Sequence, residues 1–247
     1  MRDTYEFAHY VLVLEDWLMQ TEARFLDKVE ITTRITCSPW NRRLWTLQEA
    51  ALAGADRLVI RFLVTSCMVD DLLRKDCALL AEKDCPVLAL ATQRLHLLRD
   101  ITKSLNTAKR SDSAHLRRVM WHIQFRRTSV AGDEPICLAT LLGIDTSTVI
   151  EAGKGESNDH SKLERRMLAM WKELRNLPLE LIFPRCQTLQ EPGFRWALRT
   201  LMQSSQHCFM NSPEHELESS DAVRDDIGLR VRLYGLVFEL HSVSPST

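Results

Sequence analysis

Two apolar runs separated by one capped helix constrain this chain more than any other feature. Val11-Leu12-Val13-Leu14 is short, apolar and flanked by polar residues, and it reads as a fully buried strand. The mixed segment 16–35 that follows reads as helical up to about Val29. Ser38 then offers an N-cap, Pro39 suits the first helical position, and Gly54 suits the residue just past the end. Between them Leu44, Leu47, Ala51 and Leu52 fall on one helical face, with Arg42, Arg43 and Gln48 elsewhere. Residues 57–64, RLVIRFLV, are apolar with a β-branched pair and read as the next strand. Residues 11–64 therefore spell strand, helix, strand, the order of a parallel βαβ unit.

Beyond that unit the pattern becomes helical. Segments 70–83, 86–101, 113–125 and 135–142 are expected helices, the last closed by Gly143. Residues 147–161 are polar and glycine-containing and read as a loop. A strong helix is expected over 163–176, with Met167, Met170, Trp171 and Leu174 on its apolar stripe and a stop before Pro178. Residues 179–183 read as a short strand. Residues 204–226 form a polar linker, and 229–240 favour a strand or hairpin bent at Gly235. The fold class that follows is α/β, with a partial βαβ unit over 1–66, a mainly helical extension over 67–203, and the linker and terminal strand over 204–247.

Composition narrows the function. Thirty-two Lys and Arg against 33 Asp and Glu leave a formal net charge of −1, which argues against nucleic acid or an anionic membrane as the main partner. Eight glycines in 247 residues is well below the usual ~7% and disfavours phosphate-cradling loops. Gly153-Lys154-Gly155 lacks the Ser or Thr of a P-loop, and neither GxGxxG nor GxSxG occurs. The seven cysteines contain no CxxC pair and no metal-ligand spacing, so they read as reduced intracellular thiols, no metal site is expected, and the setting expected is cytoplasmic. The N-terminal residues do not form a secretory signal, and no uncharged stretch approaches the ~20 residues of a membrane helix.

The densest segment chemically is 38–62, SPWNRRLWTLQEAALAGADRLVIRF. Trp40 and Trp45 bracket the Arg42-Arg43 pair, and Glu49 lies one helical turn after Trp45. A carboxylate desolvated by an indole is suited to proton chemistry, or to stabilising an oxocarbenium ion on a sugar. The same spacing is compatible with Glu49 paired to Arg42 or Arg43 and Trp45 in the core.

These residues carry a family resemblance. Pro39-Trp40-Asn41 followed by Arg43-Leu44-Trp45-Thr46-Leu47-Gln48-Glu49 resembles the R-x-W-T-x-Q-E block of the fungal HET (heterokaryon incompatibility) domain. Tyr5, Ala8 and Val11 to Leu14 resemble the strand block preceding it, with Glu15 where the family usually has Asp. Arg127-Thr128-Ser129, Asp133-Glu134, the run from Ile136 to Gly143, and Gly193-Phe194-Arg195-Trp196 are similar to later blocks of such proteins.

The resemblance implies a protein of fungal non-self recognition and programmed cell death, working with protein partners in a death-signalling assembly and able to self-associate. HET domains are thought to be distant relatives of TIR domains, flavodoxin-like modules of which some cleave NAD. By that likeness Glu49 is the candidate catalytic carboxylate, Trp40, Arg43, Trp45 and Gln48 are motif or pocket residues, and NAD enters as a substrate rather than as a cofactor. The opening HET blocks, S-Y-x-W-G and W-I-D-x-L-C-I-x-Q, have no counterpart here. The expectation is therefore a partial copy without its leading strands and without full catalytic machinery, or one in which 229–240 replaces those strands. Two alternatives stand beside it: a TIR-like NAD hydrolase using Glu49, and a non-catalytic helical scaffold anchored by Trp40 and Trp45.

Overall fold

A computed structural model describes residues 2–72, 113–182, 186–202, 222–225 and 228–232. The chain is mixed α/β, with two small sheets of three strands each among its helices. Helix α1 (Arg2–Glu6) leads into β1 (Val11–Val13), followed by α2 (Asp16–Met19), α3 (Lys28–Cys37), α4 (Pro39–Arg42) and α5 (Leu44–Ala53). Strands β2 (Leu58–Arg61) and β3 (Ser66–Met68) and the short α6 (Val69–Leu72) come next. After residue 112 come α7 (Ser113–Ile123), α8 (Glu134–Leu142), α9 (Thr146–Ala152) and α10 (Asp159–Glu173), and then β4 (Asn176–Leu177), β5 (Ala222–Arg224) and β6 (Leu229–Arg230).

The expected βαβ unit is present. β1 pairs in parallel with β2 in the register Val11–Leu58, Leu12–Val59 and Val13–Ile60, and β3 adds antiparallel to the far side of β2. Val13, Leu58 and Ile60 share a buried core with Leu44, Leu47, Ala50 and Ala51 of α5, all almost wholly inaccessible. α5 also meets α8. This continues the hydrophobic core through α8 to Met167, Met170 and Trp171 of α10. An all-round apolar sequence such as LWTLQEAALA is what a helix clamped between two layers requires.

Several local expectations are corrected. β1 is not fully buried: Val13 faces the core, but Leu12 and the following Leu14 face outward, because the sheet is covered on one face only at this edge. Segment 16–29 is not one helix. Glu15 caps the single turn α2, a 3-10 turn covers Ala23–Phe25, and the regular helix starts at Lys28, where Asp27 accepts from the Glu30 amide at 2.7 Å. The loop expected over 147–161 contains α9 and the start of α10, whose N-caps are Asp145 and Asn158. Both are local side-chain caps that reading the stretch as merely polar overlooks. The strand expected over 179–183 is a 3-10 turn, Leu179–Ile182, and the pairing strand lies earlier, at Asn176–Leu177.

β6 pairs with β5 in the second sheet, so Leu229 and Arg230 do not supply leading strands beside β1. The helix expected over 86–101, most of that over 70–83, most of the 204–226 linker and the rest of 229–240 lie outside the described residues.

Candidate functional site

The helix expected from Pro39 to Gly54 is broken in two, and the break builds the site. Ser38 caps α4 by accepting from the Asn41 amide at 3.3 Å, with Pro39 in the first turn as expected. Arg43 then turns extended (φ −78°, ψ 140°) before α5 begins. Its neighbours pair with a segment more than eighty residues away: the Leu44 amide donates to the Arg127 carbonyl at 2.9 Å, and the Arg127 amide to the Arg42 carbonyl at 2.8 Å.

A buried guanidinium fastens the same break. Arg126 donates to the Arg43 carbonyl at 2.9 Å, to Thr46 Oγ1 at 3.1 Å and to Asn41 Oδ1 at 2.9 Å. Thr46 in turn donates to the carbonyls of Trp40 and Arg43. The planar fork of arginine suits this set of three oxygens, which a point-charge ammonium would match poorly. Trp45 closes the junction from the other side, its Nε1 donating to Asp133 Oδ2 at 3.1 Å. The Ala131–Asp133 turn is itself held by Asp159, which accepts from the amides of Ala131 (2.6 Å) and Gly132 (3.1 Å).

Breaking the helix leaves a cleft of about 210 Å³ beside β1. Val11 to Leu14 and Leu58 form one wall, and Tyr5, Trp40, Arg43, Glu49 and Ala50 form the other. Glu49 is half-buried, and Oε1 accepts from the Tyr5 hydroxyl at 3.0 Å, so α1 rather than Arg42 or Arg43 positions it. Partial burial, with the adjoining carboxylate, holds the Tyr5 phenol above its ordinary value of 10.0. Arg57 secures the α1–β1 approach by donating to the carbonyls of Glu6 (2.7 Å), Ala8 (3.0 Å) and Leu52 (3.1 Å).

The structure thus brings Trp40, Arg43 and Glu49 to one cleft and directs two other motif residues elsewhere. Trp45 does not line the cleft, since its indole N–H is committed to Asp133. Gln48 is buried in the core, where its side-chain oxygen has no hydrogen-bond partner among the described residues. Cys137, on the facing α8, is fully buried, and desolvation pushes its thiol up to about 12, an inert group at neutral pH.

Residue typing missed two positions. Arg126 stands beside the matched Arg127, and Glu134 lies within a matched block, but neither is a candidate site residue by sequence. Glu134 is completely buried and accepts from Thr200 Oγ1 (2.6 Å) and from the amides of Leu201 (2.6 Å) and Met202 (3.2 Å). Burial raises its pKa above 4.5 despite those three donors. Trp171 ties down the preceding stretch by donating to the Leu198 carbonyl at 3.0 Å and packing edge-on against Trp196. The only sequence signal for this role was the position of Glu134 at the start of the apolar EPICLATLL helix.

Chemically, the cleft offers a carboxylate, a phenol, a guanidinium and an indole around an apolar floor. Its volume is below the ~300–1,000 Å³ of ordinary small-molecule pockets. Among the described residues, no group of three or more His, Cys, Asp or Glu could hold a metal ion, and no helix is long and apolar enough to cross a membrane. Comparison with protein-family models, with characterised proteins and with solved structures finds no match to this chain.

Proposed function

We propose that this chain acts as a HET-type module of fungal non-self recognition, engaging protein partners in the cytoplasm to promote cell death, and that it does so without turnover at the Glu49 cleft. The observation that carries this reading is the meeting of the sequence blocks on which the resemblance rests. Leu44 and Trp45 of the first block bond to Arg127 and Asp133 of the second, and Arg126, next to the second, holds the Arg43 carbonyl and Thr46. Motif residues that hold one another in place support a shared fold more than shared chemistry. A flavodoxin- or TIR-like relationship draws its support from the parallel β1–α5–β2 unit. The small cleft, with Trp45 bonded to Asp133 and Gln48 buried away from it, favours signalling over catalysis. The test is inducible expression in a filamentous fungus. Growth arrest is expected for the wild-type chain and for Glu49→Gln alike, and wild-type expression without effect overturns the reading.

One observation favours a second reading, NAD hydrolysis in the manner of TIR enzymes. Glu49 does line a concave surface beside Trp40 and Arg43. In that chemistry the carboxylate would stabilise an oxocarbenium-like ribosyl centre as nicotinamide departs. Incubation of purified protein with NAD decides it: nicotinamide release that is abolished in a folded Glu49→Gln variant establishes the enzyme, and no release from the wild type removes it.

A further inference from the structure

The outer edge of β1 is built to pair with another strand. Val11 donates its amide to the Arg57 carbonyl at 2.9 Å. In the parallel register with β2, the main-chain groups of Val11 and Val13 are therefore turned toward β2, and the N–H and C=O of Leu12 are turned away from it. β1 is the end strand of its sheet, and no other described strand pairs with that side. Edge strands in monomeric proteins are normally blunted by charge, proline or a covering element. This one carries an apolar stripe instead: Tyr10, Leu12 and Leu14 are 67%, 53% and 60% exposed. Alternation puts all three on one face. Phe7, in the turn before the strand, is 78% exposed.

We propose that this edge joins two copies of the chain, β1 pairing antiparallel with the partner's β1 about a two-fold axis at Leu12, so that the two three-stranded sheets become one. The strand's own sequence argues for a second copy as the occupant. With Leu12 on the axis, Tyr10 stands opposite the partner's Leu14, and Val11 opposite the partner's Val13. His9 stands opposite the partner's Glu15. Each same-face pair is therefore aromatic–aliphatic, aliphatic–aliphatic or polar with polar, with no apolar side chain set against a carboxylate. Glu15 is already extended (φ −131°, ψ 122°), so the pairing conformation continues past Leu14. A strand whose register is complementary to itself is what an isologous two-fold interface requires. The paired strand adjoins the Glu49 cleft, since Val11 to Leu14 also form a wall of that cleft.

The test is the mass of the full-length chain in solution, by sedimentation equilibrium across a wide concentration range. A concentration-dependent dimer of twice 28.5 kDa is expected. Leu12→Pro removes only the outward-facing donor, a change edge strands tolerate, and it should shift the equilibrium to monomer with the far-ultraviolet circular dichroism unchanged. Leu12→Lys, which adds a charge to the same edge, is expected to do the same if the proline variant fails to fold. His9→Glu, which sets like charges opposite each other, should raise the dissociation constant several-fold. A chain that stays monomeric throughout overturns the proposal, and so does a dimer that persists in a folded Leu12→Lys variant.

Discussion

The Trp45 indole and the Asp133 carboxylate, 88 residues apart, meet in a 3.1 Å hydrogen bond that pins the start of α5 to the turn before α8. This contact turns two stretches of sequence into one structural unit, because Arg42, Arg43 and Thr46 on one side and Arg126 and Arg127 on the other are joined within the same junction. A hydrogen bond to a charged acceptor is worth about 1.5–3 kcal/mol. Trp45→Phe, which keeps most of the ring and loses the donor, should therefore lower the unfolding free energy by about 2 kcal/mol in a urea titration. Asp133→Ala should cost about the same, and the double variant clearly less than the two combined, as expected of contacting residues.

Arg126 is the second clamp. Lysine cannot reproduce a fork that reaches the Arg43 carbonyl, Thr46 Oγ1 and Asn41 Oδ1 together. Arg126→Lys should cost about 2 kcal/mol or more, and Arg126→Met more than that because buried acceptors lose their donor. Denaturant unfolding checks both, and a neutral Arg126→Lys would show that the guanidinium geometry is immaterial.

Glu134 predicts an unusual pH dependence. Its folded pKa is raised by burial, so the folded state holds the proton more tightly than the unfolded chain does. Between the ordinary carboxylate value of 4.5 and the raised one, stability therefore falls as pH rises and recovers on acidification. When protonated, Glu134 can donate to Thr200 Oγ1, whose own proton has the Met202 carbonyl within 3.3 Å. Thermal melts across the acid range should show the wild type gaining stability relative to Glu134→Gln as the pH is lowered from neutral. A constant difference between the two would contradict the assignment.

Tyr5 should report on the cleft. Its phenol titrates above 10.0 through partial burial first and Glu49 second. Glu49→Gln should bring that titration back toward the ordinary value, read by ultraviolet absorbance against the other tyrosines of the three in the chain. Tyr5→Phe should remove the high-pH component and, because the pair is only half-buried, change stability by about 1 kcal/mol or less.

Short-range rules legible in the sequence are enough to specify several local units. Ser38 and Pro39 start a helix, Gly143 ends one in the left-handed conformation (φ 68°), and Gly54 at φ 84° stops α5, because caps, fixed φ angles and a missing Cβ act over a few residues. Two apolar runs around a helix determined the parallel β1–β2 pair in the same way. Tertiary structure settled where that helix breaks, since Arg126 and Arg127, more than eighty residues on, bond to Arg42, Arg43, Leu44 and the nearby Thr46 around the break. It also decided which motif residues share a cleft. Trp45 and Glu49 are one turn apart in sequence, yet one is bonded to Asp133 and the other to Tyr5. Spacing sets which side of a helix a residue occupies, but burial and partners come from the elements folded against that side. For the same reason the sequence around Glu134 does not show that it is the buried acceptor that holds Thr200 to Met202 in place.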